Sequence, residues 1–238
     1  MKTVAWFSGV VSSFVSIYLM RNEIDEVIYI HIDDQHPDTQ RFVRDCAAAL
    51  CMGYKTMQSK YKTVDEVIRK FRYINGVSGA RCTQMLKTQV RSKWEKEQYE
   101  TLLYVWGYDV TEQDRAKRIE EKLPQHIHRF PLIRNNLTKQ DCHGMLARLG
   151  IKRPAMYDLG YQNNNCIGCV KGGMGYWNKT RIDFPDAFSS RAKLEREIGH
   201  SCINGVYLDE LEPHRGNITD EIMDDCSILC ELAIGSGK

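Results

Sequence analysis

Two cysteines stand three positions apart in Cys166-Ile167-Gly168-Cys169. This spacing places two thiols on one turn, and the glycine lets the backbone curl around a bound metal. A lone Cys-x-x-Cys is also typical of a redox dithiol. The pair therefore predicts an iron–sulfur site, a structural zinc site or a metal-free thiol pair, and the choice depends on partner cysteines elsewhere in the chain.

A second candidate site is the small polar turn Ser8-Gly9-Val10-Val11-Ser12-Ser13, which follows a short apolar run. A glycine-bearing loop between a strand and a helix points backbone N–H groups and the positive helix end at an anion. The turn lacks the Gly-Lys-Ser/Thr end of a Walker A loop and the three spaced glycines of a dinucleotide fingerprint. From these residues alone, a phosphate-binding loop and an ordinary strand-to-helix turn are equally open.

Strand-like and helix-like runs alternate around these sites as far as residue 149. The predicted strands cover residues 3–7, 26–32, 101–107 and 127–133, and the predicted helices 11–22, 37–51, 63–71, 83–98, 112–122 and 138–149. This alternation predicts an α/β fold, an open, parallel, twisted sheet with helices on both faces. Glycines crowd the stretch after Gly150, so we expect an α/β domain over 1–150 and a loop-rich, cysteine-bearing elaboration packed on it over 151–238.

Charge and hydropathy restrict the partners of the chain. The 238 residues include 33 Lys and Arg against 31 Asp and Glu, so net charge does not indicate direct binding to nucleic acid or to an anionic membrane. No apolar run approaches bilayer length, and we expect a cytoplasmic protein. Nine cysteines in that compartment predict thiols, metal ligands or redox groups rather than disulfides. A homo-oligomer and a protein partner in a modification complex are both compatible with the sequence.

Several segments between residues 3 and 175 resemble motifs of one superfamily and follow one another in the same order as in that superfamily. The turn at 8–13 resembles its loop Ser-Gly-Gly-x-Asp/Ser-Ser, with Val10 in place of the second glycine. The other matching segments are HIDDQHPDTQRFVRDC, WGYDVTEQDRAKR, RFPLI and, most specifically, RPAMYDLGYQNNNCIGC. Together they resemble the phosphoadenylyl-sulfate (PAPS) reductases and the ATP pyrophosphatases of the PP-loop superfamily, which share an adenine nucleotide α-hydrolase-like, Rossmann-like fold.

The resemblance implies an enzyme that binds an adenine nucleotide, ATP or PAPS. Its leading expectation is cleavage of ATP, with Mg²⁺, between the α and β phosphates to activate an unidentified acceptor substrate for sulfur transfer or amidation. One alternative is a sulfonucleotide reductase with a late catalytic cysteine. Another is a non-catalytic nucleotide-binding subunit of a modification complex, in which Val10 blunts the chemistry.

The resemblance also implies roles for individual residues. It places the nucleotide on Ser8, Gly9, Val10, Val11, Ser12 and Ser13, together with Asp33, Asp34 and Arg118. It implies catalytic roles for Ser12, Ser13, Lys87, Arg115 and Cys226. The residues themselves leave simpler roles open, since Asp33 and Asp34 could cap a turn and Arg115 and Arg118 could be solvated charges of an exposed helix.

The implied metal site is a [4Fe–4S] cluster, with zinc as the alternative. Cys82 lies in a segment comparable to one that joins the later Cys-x-x-Cys in some reductases, so the expected ligands are Cys82, Cys166 and Cys169. Those reductases carry adjacent cysteines where this chain has only Cys82. We expect Cys202 as the fourth ligand because it follows the same loop-rich region, with Cys226 and Cys230 as alternatives.

Overall fold

The computed structural model describes residues 1–76, 79–221, 223, 225 and 226. Its strands are β1 (Lys2–Phe7), β2 (Glu26–His31), β3 (Lys55–Gln58), β4 (Asn75–Gly76), β5 (Gly79–Ala80), β6 (Leu102–Val105) and β7 (Ile127–Arg129). Within the described residues, five of them form one parallel sheet in the order β3-β2-β1-β6-β7, and β4 and β5 form a small antiparallel hairpin. The predicted open parallel sheet is confirmed.

The centre of the sheet is also the point where its strand order reverses. β1 pairs with β2 on one side, with Val4 opposite Glu26, and with β6 on the other, with Val4 opposite Tyr104. The four β1 residues from Val4 to Phe7 are all apolar core residues of 4 % exposure or less, as expected for a strand covered on both faces. The loops after β1 and β6 therefore face each other across the crevice in which open α/β sheets bind ligands.

Helices follow most strands. They are α1 (Val11–Met20), α2 (Asp38–Leu50), α3 (Val64–Phe71), α4 (Arg81–Thr83), α5 (Gln89–Glu95), α6 (Gln113–Lys122), α7 (Pro131–Arg134), α8 (Lys139–Arg148), α9 (Ala155–Asp158), α10 (Met174–Asp183) and α11 (Pro185–Ile198). A π-helical segment, Gln84–Thr88, joins α4 to α5. Short 3-10 turns cover Val110–Glu112, Leu208–Glu210 and Ile218–Asp220. None of the helices in the described ranges has the length and apolar character needed to cross a membrane.

Three elements differ from the sequence expectation. The last strand ends at Arg129 rather than at 133, because Pro131 starts α7 at a position where a proline needs no hydrogen-bond donor. β3 has the sequence Lys-Thr-Met-Gln, in which only Met57 is half-buried. This sequence has no alternation of apolar and polar residues from which a strand could be predicted. The predicted loop-rich region after residue 150 contains the regular helices α10 and α11.

The second half of the chain shares a hydrophobic core with the first. Ile32 and Leu86 belong to the same buried cluster as Trp177 and Leu194. The division at residue 150 therefore remains a prediction, and the parts on either side of it pack together through this cluster. Of the cysteines outside the candidate site, Cys46 and Cys142 are buried, whereas Cys51 is exposed at the left-handed end of α2.

Candidate functional site

The conformation of the loop between β1 and α1 depends on a glycine. Gly9 has a φ of +77°, and a Cβ there would lie 2.8 Å from Cγ2 of Thr39. The Asn164 side chain donates a 2.8 Å hydrogen bond to the Gly9 carbonyl and a 3.0 Å bond to the Thr39 hydroxyl. Gly9 is thus needed for both its backbone conformation and its close contact.

Val10 takes the place of a glycine without backbone strain. Its φ of −102° and ψ of 159° are extended, which a β-branched residue adopts readily. Its side chain is 4 % exposed and lines the cavity above the loop together with Trp6, Trp106 and Tyr108. Val10 therefore forms an apolar wall of this cavity at the start of α1.

The loop hydroxyls differ in where they point. Ser8 donates to Ser13 at 3.0 Å, and Ser13 donates to the Val10 carbonyl at 2.8 Å. Both serines line the loop cavity. Val11 and Ser12 are buried within α1, and the Ser12 hydroxyl has no hydrogen-bond partner among the described residues. Ser8 and Ser13 are thus the hydroxyls that a ligand in this cavity would meet.

The opposite wall of the cavity comes from the loop after β6. Trp106, Gly107 and Tyr108 line it. A Cβ on Gly107 would lie 2.6 Å from Cα and 2.8 Å from N of Ser13, so a side chain would push the β6 loop away from the start of α1. This close approach fixes the width of the crevice between β1 and β6.

The three predicted basic residues lie in different places: Arg115 packs behind the crevice on Tyr108, Lys87 lines the four-cysteine cavity, and Arg118 lies half-buried on its helix. Arg115 is 7 % exposed, forms an ion pair with Glu112 and stacks over Tyr108, with the guanidinium carbon 4.6 Å from the ring centroid. Lys87 donates a 2.5 Å hydrogen bond to the Cys226 carbonyl. Arg118 is half-buried on α6, and its Nε has no hydrogen-bond partner among the described residues.

The two aspartates after β2 have different surroundings. Asp34 accepts a 2.7 Å hydrogen bond from the Val64 N–H at the start of α3, and burial raises the pKa of its carboxyl group. Its carbonyl accepts from Ile167 N–H at 2.8 Å, which ties the cysteine turn to the end of β2. Asp33 accepts from Gln58 at 2.7 Å and faces a separate polar pocket. Asp34 thus has the structural partners of a capping residue.

The Cys166–Cys169 turn is fixed by one tyrosine. The Tyr176 hydroxyl accepts a hydrogen bond from Cys169 N–H at 2.9 Å and donates to the Cys166 carbonyl at 3.2 Å. Gly168 has a φ of +67°, so the turn needs a glycine between the two thiols. The turn is therefore preformed by its own backbone and by α10.

Four cysteines line a single cavity beside this turn: Cys82, Cys166, Cys169 and Cys226. Lys87 and Lys171 also line it. Cys226 lies beside the Cys82 segment, because its Sγ is 4.0 Å from the hydroxyl of Thr83, the residue that follows Cys82. No group of three or more His, Cys, Asp or Glu side chains in the described residues has an arrangement that would hold a single metal ion.

Cys202, the expected fourth ligand, belongs to the same buried cluster as Cys166 and Cys169 but is not among the residues that line the four-cysteine cavity. It is 7 % exposed, its N–H donates to Glu195 at 2.5 Å, and its carbonyl accepts from Asn75 at 3.1 Å. Cys226, rather than Cys202, lines the four-cysteine cavity with Cys82, Cys166 and Cys169. Cys230 lies outside the described residues.

Burial favours the protonated thiols of three of the cavity cysteines, Cys82, Cys166 and Cys169. It raises the pKa of Cys82 to about 12 and raises the pKa values of Cys166 and Cys169 as well. The positive charge of Arg191 opposes this rise at Cys82 and Cys169. Arg191 is 3 % exposed and pairs with Asp65 at 2.9 Å, whereas its Nε and Nη1 have no hydrogen-bond partner in the described part of the chain.

The C-terminal residues of the described chain pass along both the loop cavity and the four-cysteine cavity. We call them the strap; they are residues 217–221, 223, 225 and 226. The Glu221 carboxylate accepts hydrogen bonds from the N–H groups of Gly173, Gly175 and Tyr176 at the start of α10, at 3.2, 2.5 and 3.2 Å. Asp225 lines the loop cavity. The next residue, Cys226, lines the four-cysteine cavity, so the two cavities are one residue apart along the strap.

A family model decides the affiliation of this chain. The model described as "Phosphoadenosine phosphosulfate reductase domain" matches residues 2–172. The chain belongs to this family. The family shown by the match is the one indicated by the sequence motifs, and the phosphoadenosine phosphosulfate reductase domain contains the β1–α1 loop, Lys87, Arg115 and the Cys166–Cys169 pair.

Comparison with solved structures gives a more distant relative. The crystal structure of a PAPS reductase from Candida auris in complex with phosphate is 15 % identical, with a TM-score of 0.48 over 68 % of this chain and 79 % of that one. No curated protein matches the chain.

Sequence reasoning missed two residues of the site. Lys139, the first residue of α8, donates to Asn163 and pairs with Asp225 at 3.1 Å. Asn164 orders the Ser8–Ser13 loop through its hydrogen bond to Gly9. The run of three asparagines before Cys166 was the available signal, because a polar run beside a glycine-rich turn is suited to bonding several backbone segments.

Proposed function

We propose that this protein is a sulfonucleotide reductase that binds PAPS or a related adenine nucleotide in the crevice between β1 and β6. One observation carries the proposal. The cavity of the Ser8–Ser13 loop and the thiol of Cys226 are brought together by consecutive strap residues, Asp225 and Cys226. A thiol beside an anion site is what sulfonate transfer from a nucleotide requires, and membership of the reductase domain family supports the substrate class.

The proposed reaction begins with attack of the Cys226 thiolate on the sulfur of the nucleotide's sulfate group. A bond forms between the cysteine and nucleotide sulfur atoms, and the bond between that sulfur and the phosphate oxygen breaks. The oxygen leaves with the electron pair on the nucleotide. One thiol of a dithiol protein then attacks the cysteine sulfur, so that sulfite leaves and a mixed disulfide forms. The second thiol attacks this mixed disulfide, the Cys226 thiol is released, and the dithiol protein, which has supplied the two electrons, is left as a disulfide.

The chain's own residues would stabilise the charge on the departing phosphate. Backbone N–H groups at the start of α1 and the hydroxyls of Ser8 and Ser13 face the cavity from one side. Arg115 would contribute a guanidinium charge from behind Tyr108 and Asp225, two residues of the cavity lining that it contacts. Preorganised donors of this kind act on charge that develops in the transition state and lower the barrier directly.

We propose that Cys82, Cys166 and Cys169 hold a [4Fe–4S] cluster rather than zinc, because no group of three or more His, Cys, Asp or Glu side chains in the described residues is arranged to hold a single metal ion. The donor set fits, because the thiols share one cavity, and the buried Arg191 beside them has two N–H groups without a partner among the described residues. Since a thiolate-bound cluster carries net negative charge, a buried cation offsets its cost. When bound, such a group would supply a fixed charge beside the reacting sulfur.

A second candidate, ATP cleavage between the α and β phosphates for sulfur transfer, follows from the same cavity. Cys226 lines it with the other three cysteines, and as a fourth metal ligand it would not be available as a nucleophile. In that case the same loop would bind the pyrophosphate of ATP with Mg²⁺. The two candidates therefore assign different roles to one residue.

One set of assays separates the candidates. The reduced protein is incubated with PAPS and a dithiol protein, or with ATP and Mg²⁺, and sulfite and pyrophosphate are measured together with iron and zinc content. The reductase predicts sulfite release that Cys226→Ser abolishes while metal content is unchanged. Pyrophosphate release from ATP, together with metal loss in Cys226→Ser, would replace it with the second candidate.

Cys202→Ala is the matched control in these assays. It removes a buried cysteine that lies outside the lining of the four-cysteine cavity. We expect it to retain both metal and sulfite release, whereas Cys166→Ala loses the metal. Loss of metal in Cys202→Ala alone would restore the ligand set expected from the sequence.

A further inference from the structure

The strap places a carboxylate in the cavity that the proposed function assigns to the nucleotide's anionic groups. Asp225 lines this cavity with Ser8, Val10 and Ser13. Its side chain is 13 % exposed, and its Oδ1 lies 3.1 Å from Nζ of Lys139. A negatively charged ligand in the same cavity would meet this carboxylate at close range.

Two cations from different elements surround Asp225. Lys139 is the first residue of α8 and also donates to the Asn163 side chain, so its ammonium group is held in place. Arg115 donates to the Asp225 carbonyl at 3.1 Å and stacks on Tyr108. These positive groups converge on one strap residue, Asp225, which itself lines the loop cavity, and Arg115 is also paired with Glu112.

We propose that Lys139 and Arg115 complete an anion site with the Ser8–Ser13 loop, and that Asp225 occupies it as an internal ligand which a substrate phosphate or sulfate must displace. This inference rests on the proposed function for the identity of the natural ligand. It adds a substrate-binding role for Lys139 and a regulatory role for Asp225.

The strap has a separate anchor that permits local release. Glu221 is bound by three N–H groups at the start of α10, four residues before Asp225. A Cβ on Gly175 would lie 2.4 Å from the strap backbone at Asn217 and Ile218, so the strap is packed directly on the glycine-rich turn. Displacement of Asp225 therefore leaves the strap attached at residues 217–221.

The expected effect follows from competition. When an internal group holds a site, the apparent dissociation constant equals the intrinsic one divided by the fraction of molecules with the site open. A partly exposed ion pair together with carboxylate–anion repulsion corresponds to about a five- to tenfold change in affinity. Asp225→Asn keeps the size of the side chain and removes its charge, so it tests this competition directly.

Inorganic pyrophosphate is the probe, titrated calorimetrically into the full-length protein and its variants. Asp225→Asn is expected to bind it about five- to tenfold more tightly than the wild type. Lys139→Met is expected to bind about tenfold more weakly or not measurably. Asp220→Asn is the matched control, because it removes the same charge from an exposed position on the same strap, and its affinity should equal that of the wild type.

Amide hydrogen exchange provides a second measurement that does not depend on a variant folding. Added pyrophosphate should speed exchange at Cys226, whose N–H donates to Asn165 at 2.8 Å, and leave exchange at the N–H groups bound by Glu221 unchanged. Unchanged exchange at Cys226 in a pyrophosphate-saturated protein would overturn displacement.

The affinities decide the remaining outcomes. Equal affinity of the wild type and Asp225→Asn, or equal tightening in Asp220→Asn, would overturn the internal ligand. Absence of pyrophosphate binding in every variant would overturn the anion site. Parallel titrations with ATP and PAPS distinguish this inference from the proposed function: if neither nucleotide binds while pyrophosphate binds more tightly to Asp225→Asn, the function fails and the inference stands.

Discussion

Replacing Gly9 with alanine is the sharpest perturbation of the Ser8–Ser13 loop. The added Cβ would lie 2.8 Å from Cγ2 of Thr39, in a backbone conformation with a φ of +77°. Thr39 is 1 % exposed and shares hydrogen bonds with Asn164, so its methyl group cannot rotate away freely. Both the backbone and the packing of the loop therefore oppose the substitution.

The expected cost has two parts. A non-glycine residue in the left-handed region costs about 1–2 kcal/mol. Overpacking against a rigid buried neighbour adds about 1–3 kcal/mol. Gly9→Ala should thus lower the free energy of unfolding by about 2–5 kcal/mol, which is a large share of the stability of a typical domain.

Urea unfolding of a matched set of variants separates the two parts. Gly150 has a φ of +68° and nothing within 4 Å of an added Cβ, so Gly150→Ala measures the backbone cost alone. Thr39→Ser removes the clashing methyl group and keeps the hydroxyl, so it should recover most of the packing cost in combination with Gly9→Ala. Equal destabilisation by Gly9→Ala and Gly150→Ala, or no recovery with Thr39→Ser, would refute the reasoning.

Two further predictions follow from the walls of the same crevice. Gly107→Ala forces a Cβ to within 2.6 Å of the Ser13 backbone. It should lower the free energy of unfolding in urea by about 1–3 kcal/mol and weaken pyrophosphate binding in titration calorimetry. Wild-type values in both measurements would contradict the packing account. Burial, opposed by Arg115, raises the pKa of Glu112 from 4.5 to about 7. The folded state therefore holds a proton between these pH values that the unfolded state has released, and stability falls as pH rises through this window. Glu112→Gln should remove that decline, and a stability difference between the two proteins that stays constant from pH 4.5 to 7 would show that Glu112 does not titrate there.

Local patterns predicted the parts of the site that depend on short segments. The apolar run before Ser8 and the helical spacing after it located the loop between β1 and α1. The Cys166–Cys169 spacing located the preformed turn, whose Gly168 takes the positive φ that the motif suggested. In these segments, backbone conformation and burial are decided by neighbouring residues, so periodicity and motif spacing carry the information.

Contacts between distant segments could not be predicted in this way. Cys226 and Cys202 both follow the cysteine turn, and only the path of the strap brings Cys226 into the four-cysteine cavity. Lys139 has the appearance of an ordinary exposed residue of a helix, yet Asp225 and Asn163 lie against it in the fold. β3 was missed because its buried neighbour β2, rather than its own composition, makes it a strand.

Transfer of sulfonate to Cys226 is the most direct test of the proposed function. The reduced protein is mixed with PAPS carrying radioactive sulfur, quenched without a dithiol, digested and analysed by mass spectrometry. The reductase predicts stoichiometric label on the peptide that contains Cys226, its loss in Cys226→Ser, and its release as sulfite when a dithiol protein is added. Binding of PAPS with no label on Cys226, together with pyrophosphate release from ATP, would contradict this function.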